Sequence, residues 1–120
     1  MIASVQLVQT IAQLVNGRIY PLRIDEDEDS TPPYIIYQEV SSQPEITDDG
    51  ITGHEWAHMQ IDVYHPDKYQ VRLLANKVVS TINDQIKPSI YGGQQQLHDE
   101  ASNLWRQSID YEFWQTTPTE

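Results

Sequence analysis

The sequence contains no cysteine and few basic residues. Without cysteine, a disulfide framework and a thiolate metal site are excluded, and the cellular compartment stays open. Lys and Arg number 7 against 18 Asp and Glu, which gives the 120-residue chain a net charge of −11 at pH 7. Binding nucleic acid through its phosphates requires clustered Lys and Arg, so this charge balance argues against that class of protein. An acidic protein can still let DNA pass without adhering to it, because like charges repel.

Long apolar runs are absent as well. No stretch approaches the ~20 apolar residues of a membrane-spanning helix, and the N-terminus lacks the basic-then-apolar layout of a signal peptide. We therefore expect a soluble intracellular protein with a single domain over residues 1–120, since this length builds one core but not two. There is no GxSxG elbow for a nucleophile, and Gly92-Gly93 is joined to no Lys that would complete a phosphate-binding loop.

The stretch from Gly53 to Pro66, GHEWAHMQIDVYHP, supports two incompatible interpretations. As a helix it matches the HExxH pattern of zinc peptidases, with His54 and His58 as ligands and Glu55 as general base. As a strand it separates the two histidines by roughly 13 Å, too far to share a metal. Apolar and polar residues alternate with a period of two from Ala57 to Tyr64, which favours the strand.

Hydrophobic periodicity predicts two helices. The first covers residues 4–15 and ends at Asn16-Gly17, with an apolar stripe that consists of Val5, Val8, Ile11, Ala12 and Val15. The second begins at the N-cap Asp67 and ends before Pro88. Its stripe is the clearest periodic signal in the chain and consists of Val71, Leu74, Ala75, Val78, Val79, Ile82 and Ile86.

Extended segments are predicted at residues 18–21, 34–40, 51–64 and 104–114, with a loop or weak edge strand at 94–102. Residues 41–50 and Gly92-Gly93 have turn chemistry, so segments 34–40 and 51–64 are placed to pair as a long hairpin. The predicted fold class is α+β, a mostly antiparallel sheet of about four to five strands with two helices packed on one face. A short tail is predicted at 115–120.

Two surface features are candidate interaction sites. An acidic loop at 25–32 contains five adjacent acids, Asp25, Glu26, Asp27, Glu28 and Asp29. Such a run favours solvent, and it lacks the spacing and the glycine turn of an EF-hand. The central strand would also direct five side chains away from the helices: Trp56, His58, Gln60, Asp62 and Tyr64. Aromatic and polar side chains mixed on a sheet face suit a protein interface, although a plain solvated face is the alternative.

No metal site is expected, because the strand assignment separates the four histidines, His54, His58, His65 and His98.

Several strings of residues resemble the tail completion proteins of long-tailed phages and prophages. They are Arg18-Ile19-Tyr20-Pro21, Pro33-Tyr34-Ile35-Ile36-Tyr37, Gln60-Ile61-Asp62-Val63-Tyr64, the helix from Tyr69 to Ile86, and Ile109-Asp110-Tyr111-Glu112-Phe113-Trp114. The resemblance covers nearly the whole chain. It implies a non-enzymatic tail terminator without a cofactor, whose copies form a ring, often a hexamer, that caps the tail tube and joins it to the head.

The resemblance also implies partners and a location. The expected partners are further copies of the chain, the tail tube protein, and a head-completion or connector protein, while DNA passes without specific binding. The expected location is the virion tail, after assembly in the host cytoplasm. Two alternatives remain open at this point: a small zinc-dependent hydrolase that uses the HEWAH motif, and an acidic interaction module unrelated to phages.

Overall fold

The computed structural model describes residues 2–47 and 50–116 and places two helices on one face of a five-stranded sheet. Helix α1 spans Ala3–Ile11 and continues as a 3₁₀ turn over Ala12–Val15. It ends at Asn16, which adopts the left-handed conformation with φ 52°, as the Asn-Gly pair predicts. Helix α2 spans Lys68–Gln85, and its predicted N-cap is confirmed. The Asp67 carboxylate accepts hydrogen bonds from the backbone N–H groups of Tyr69 and Gln70 at 2.9 and 2.8 Å.

The sheet contains strands β1 (Ile19–Pro21), β2 (Tyr34–Thr47), β3 (Gly50–His65), β4 (Ser89–Asp99) and β5 (Leu104–Thr116). Their order is β1-β2-β3-β5-β4, so β1 and β4 form the two edges. Only β1 pairs in parallel with its neighbour, and the other three pairings are antiparallel. Strands β2 and β3 form the predicted long hairpin, and the predicted α+β class is confirmed. In the part of the chain that the structure describes, neither helix is long and apolar enough to cross a membrane.

The core lies between the helices and the inward face of the sheet. The α2 stripe is confirmed, because Val71, Ala75, Val78 and Ile82 are fully buried. The stripe predicted for α1 is rotated: the buried residues are Ala3, Leu7, Ile11 and Val15, while Val5 is 44% exposed. Both flanks of α1 are apolar, so the sequence did not decide which of them faces the sheet.

Three segments predicted as irregular belong to strands. Strand β2 continues through Ser41 and Pro44 to Thr47, and register shifts on either side absorb the irregularity. Proline is tolerated there because β1 pairs with β2 only over residues 35–37 and leaves this part of β2 at the sheet edge. Gly92-Gly93 lies within β4 and is not a turn, and β5 includes the first two residues of the predicted tail. Asp48, Asp49 and residues 117–120 lie outside the described residues.

Candidate interaction surface

The face of the sheet opposite the helices carries the side chains that the alternation predicts. In β3, Ala57, Met59, Ile61 and Val63 are fully buried against the helices. The intervening residues point to the other face, namely Trp56, His58, Gln60, Asp62 and Tyr64. We call this second face the open face. Its role as an interface stays a prediction.

One end of the open face is covered by the chain itself. A second apolar cluster forms there from Tyr20, Tyr34 and Leu104, with Ile24, Ile36 and Tyr64 packed against it. The rings of Tyr34 and Tyr64 stack with centroids 4.9 Å apart and an interplanar angle of 22°. The loop between β1 and β2 contributes Ile24 to this cluster, so the start of β2 is covered on both faces, as its apolar sequence predicts.

The acidic run is a hydrogen-bonded turn held against the β1 edge. The Tyr20 hydroxyl donates to the backbone carbonyl of Asp29 at 2.6 Å, and the Glu28 N–H donates to the carbonyl of Asp25 at 3.0 Å. Hydrogen bonds from the side chain and backbone of Thr31 lower the pKa of Asp29. Burial and the nearby charges of Asp29 and Glu28 raise the pKa of Tyr20. All five acidic side chains of the run are exposed.

The middle of the open face is polar, and part of it is already satisfied within the chain. Asp62 is only 7% exposed, accepts hydrogen bonds from the Gln60 amide at 3.1 and 3.3 Å, and lies 4.0 Å from the Arg106 guanidinium. A hydrogen bond with Tyr64 raises the pKa of Arg106. Asp62 therefore offers little surface to a partner. His58 is more accessible, with its Nε2 3.6 Å from an Asp110 carboxylate oxygen.

The other end of the open face is aromatic. Trp56 and Trp114 meet edge to face with centroids 5.4 Å apart, and His54 stacks on Trp114 at 5.8 Å. A shallow cleft of about 320 Å³ is lined by Gln43, Pro44, Glu45, Trp56 and Trp114. Trp114 was not among the predicted interface residues. The alternation along β5 predicts its direction: Trp114 is an even number of positions from Arg106 and Asp110, so all three side chains lie on the same face.

The HEWAH motif lies within β3, so the strand prediction is confirmed and the helix needed for an HExxH zinc site is not formed. Glu55 points to the helix face, where its carboxylate accepts a hydrogen bond from the Gln115 amide at 2.6 Å. His54 and His58 point to the open face, so the two ligands and the base of the hypothetical site lie on opposite sides of the sheet. Within residues 2–47 and 50–116, no group of three or more His, Cys, Asp or Glu side chains is placed to hold a metal ion.

Comparison with known proteins agrees with the resemblance read from the sequence. Among solved structures, a chain of "Virion of native gene transfer agent (GTA) particle" matches with a TM-score of 0.64 over 93% of this chain and 92% of that chain. Its sequence identity is 12%, so the match shows a shared fold. No curated protein sequence matches this chain. The family described as Tail completion protein gp17 matches residues 2–116, and the chain therefore belongs to this phage tail completion family.

Proposed function

We propose that this protein is a non-enzymatic structural subunit at the head-proximal end of a phage tail. Its copies form a ring, most simply a hexamer, which ends the tail tube and receives the head. The observation that carries the proposal is the match of the tail completion family over residues 2–116. The likeness to a chain of a gene transfer agent virion supports a place within a particle.

A one-sided sheet suits this role. A ring requires head-to-tail contacts between two different surfaces of each subunit, and further surface for the proteins above and below it. The helices cover one face of the sheet, whereas the open face presents Trp56 and Trp114 beside the accessible His58. Tryptophan is enriched among residues that dominate interface energies, because it combines a large apolar area with a polar edge. In the proposal, this aromatic end docks the tail tube protein or a head-completion protein.

The net charge supports passage of DNA through the ring. At −11 per subunit, a ring of several copies presents a strongly negative field to the phosphates of DNA. Repulsion keeps the duplex from adhering to the wall while it moves, and no specific DNA contact is required.

Removing the gene from the strain that produces the particle tests the proposal. Electron micrographs should then show separate heads and tails, with tails of irregular length, and the wild-type gene should restore joined particles. Complementation with Trp56→Ala/Trp114→Ala should restore fewer joined particles than complementation with Ile90→Ala. Ile90 is the control because its half-exposed side chain also lies on the open face, but in β4. Thermal unfolding of both variants checks that they fold. Normal particles in the absence of the gene would refute the proposal.

A further inference from the structure

The flank of α2 that faces β4 carries a basic cleft. Lys68, Arg72 and Lys77 are three of the seven Lys and Arg residues in the chain, and all three lie exposed on α2. The first two line a cleft of about 420 Å³ together with Asp67, Tyr69 and Gln96. The Asp67 carboxylate is engaged in capping the helix. Among the described residues, Lys68 and Arg72 take part in no ion pair.

Aromatic and backbone contacts give the cleft a defined shape. The Lys68 ammonium lies 5.3 Å from the centroid of the Trp105 ring, and the Gln96 amide donates to the Lys68 carbonyl at 3.3 Å. These contacts tie the start of α2 to the sheet. Tyr69, beside the two cations, is 70% exposed, so its aromatic ring is in contact with solvent. Tyrosine and arginine are both enriched in protein interfaces, so the exposed Tyr69 beside Arg72 indicates a contact surface.

The acidic run and the basic cleft lie at opposite edges of one sheet. The run follows β1 at one edge, whereas Gln96 of the cleft belongs to β4 at the other edge. Four interstrand spacings separate these edges, about 19 Å at ~4.8 Å each. Both features lie near the same end of the sheet, because the loop that contains the run leads into Tyr34, which pairs with Tyr64 just before α2. The run and the cleft have opposite charges, and an edge-to-edge contact between two copies can bring them together.

We propose that the acidic run of one copy binds the basic cleft of the next copy and forms the head-to-tail contact of the ring. This inference rests on the proposed ring. A closed ring needs two different patches on opposite sides of each subunit, and these edges supply them. Because the two patches lie at opposite edges, an edge-to-edge contact pairs the run of one copy with the cleft of the next and leaves the second patch of each copy free for a further copy. The contact offsets the general repulsion between chains that each carry −11.

Charge reversal in two matched variants tests the contact. A loop-reversed protein carries Glu26→Lys/Asp27→Lys/Glu28→Lys, which changes the net charge of the run from −5 to +1. These three side chains are exposed and form no hydrogen bond or ion pair among the described residues. A cleft-reversed protein carries Lys68→Glu/Arg72→Glu. Each alone should associate at least about tenfold more weakly than wild type in sedimentation and native mass spectrometry. Mixed together, they should recover assembly, because each run then meets a cleft of opposite charge. Lys77→Glu, on the other flank of α2, is the control and should assemble as wild type does.

Crosslinking provides a second measurement that does not depend on affinity. The chain has no cysteine, so Asp27→Cys/Arg72→Cys introduces the only two thiols. A short bis-maleimide should give a ladder of covalent oligomers, and Asp27→Cys/Lys77→Cys should not. If wild type assembles but the reversals have no effect and the two cysteine pairs give equal ladders, the contact is wrong and the ring stands. If wild type stays monomeric and neither pair gives a ladder, both proposals are wrong.

Discussion

Gln115 joins the two ends of the described chain, and its side chain is 3% exposed. Its amide oxygen accepts a hydrogen bond from the Ala3 N–H at 2.8 Å, where α1 begins without a side-chain cap of its own. Its amide nitrogen donates to the carboxylates of Glu55 and Glu39 at 2.6 and 3.0 Å. One amide thus caps a helix and holds two like charges beside each other.

We expect Gln115→Leu to lower the free energy of unfolding by about 2 kcal/mol, because a buried N–H and two carboxylates lose their partner. Urea unfolding at pH 7 measures the change. Gln95→Leu, at an exposed position of β4, is the matched control and should stay within about 0.5 kcal/mol of wild type. Equal stability of the two variants would show that the Gln115 bonds contribute nothing net.

Tyrosine burial makes stability depend on pH in the alkaline range. Burial, followed by the neighbouring Tyr64 and Asp99, raises the pKa of Tyr34 in the folded state. The unfolded chain therefore releases this proton first, and stability is complete below about pH 10 and falls as pH rises beyond it. Tyr34→Phe keeps the ring that stacks on Tyr64 and removes the titrating hydroxyl.

We expect Tyr34→Phe to match wild type at pH 7 and to lose less stability between pH 10 and higher values, as measured by urea unfolding across the series. Part of the alkaline loss should remain, since burial also raises the pKa values of Tyr37 and Tyr111. If the free energy of unfolding fell equally with rising pH in both proteins, the Tyr34 hydroxyl would not be a source of the alkaline loss.

For single residues, the sheet face to which a side chain points was predictable from the alternation of side chains along a strand. The alternation from Ala57 to Tyr64 gave the direction of every side chain in that part of β3. It did not show that Asp62 is buried, because the groups that cover it, Gln60 and Arg106, include one from a strand more than 40 residues away in sequence. Burial of a polar side chain is decided by neighbours, and neighbours in a sheet are distant along the chain.

At the scale of elements, the glycine pair of β4 shows how a local signal is overridden. Gly92-Gly93 has turn composition, yet it lies in β4 where the register against β5 shifts. Gly93 adopts φ +106°, which other residues rarely reach, and a Cβ on Gly92 would lie 3.2 Å from the Cβ and carbonyl oxygen of Asp110. The conformational freedom that glycine gives to turns serves here to form a bulge.

We expect Gly93→Ala to destabilise the protein by about 1–2 kcal/mol, because alanine is strained at this positive φ. Chemical denaturation measures the loss, and Gln95→Ala, two residues along the same strand, should show much less. A Gly93→Ala protein as stable as wild type would mean that β4 pairs with β5 without this bulge.

The helices were more predictable than the turns because their signal is repeated many times. The α2 stripe recurs over about four turns at 3.6 residues per turn and matches the buried residues Val71, Ala75, Val78 and Ile82. In α1 the apolar residues cover two flanks, and the contact with the sheet selected Leu7 and Ile11 over Val5. The C-terminal end of β2 was not predictable in the same way. Residues 41–47 have turn composition by themselves and become part of the strand because they pair with β3.

For the whole molecule, the metal-binding alternative leads to a clear expectation. A strand that separates His54 from His58 by roughly 13 Å and directs Glu55 to the other face cannot hold one zinc ion between them. We expect zinc and EDTA each to shift the melting temperature by less than about 1 °C, since only a ligand that binds the folded state stabilises it. An increase of several degrees that EDTA reverses and His54→Ala abolishes would reinstate the zinc site.

The sequence by itself determined the α+β class, the strand character of the HEWAH segment, the second helix and the directions of side chains along β3. These properties follow from the periodicity of apolar residues within single segments, which is a property of the local sequence. Only the tertiary structure decided that the β1–β2 loop covers one end of the open face, that Trp114 joins Trp56 at the other end, and that the acidic run and basic cleft lie at opposite edges. These depend on strand order and register, which are set by contacts between residues far apart in the chain.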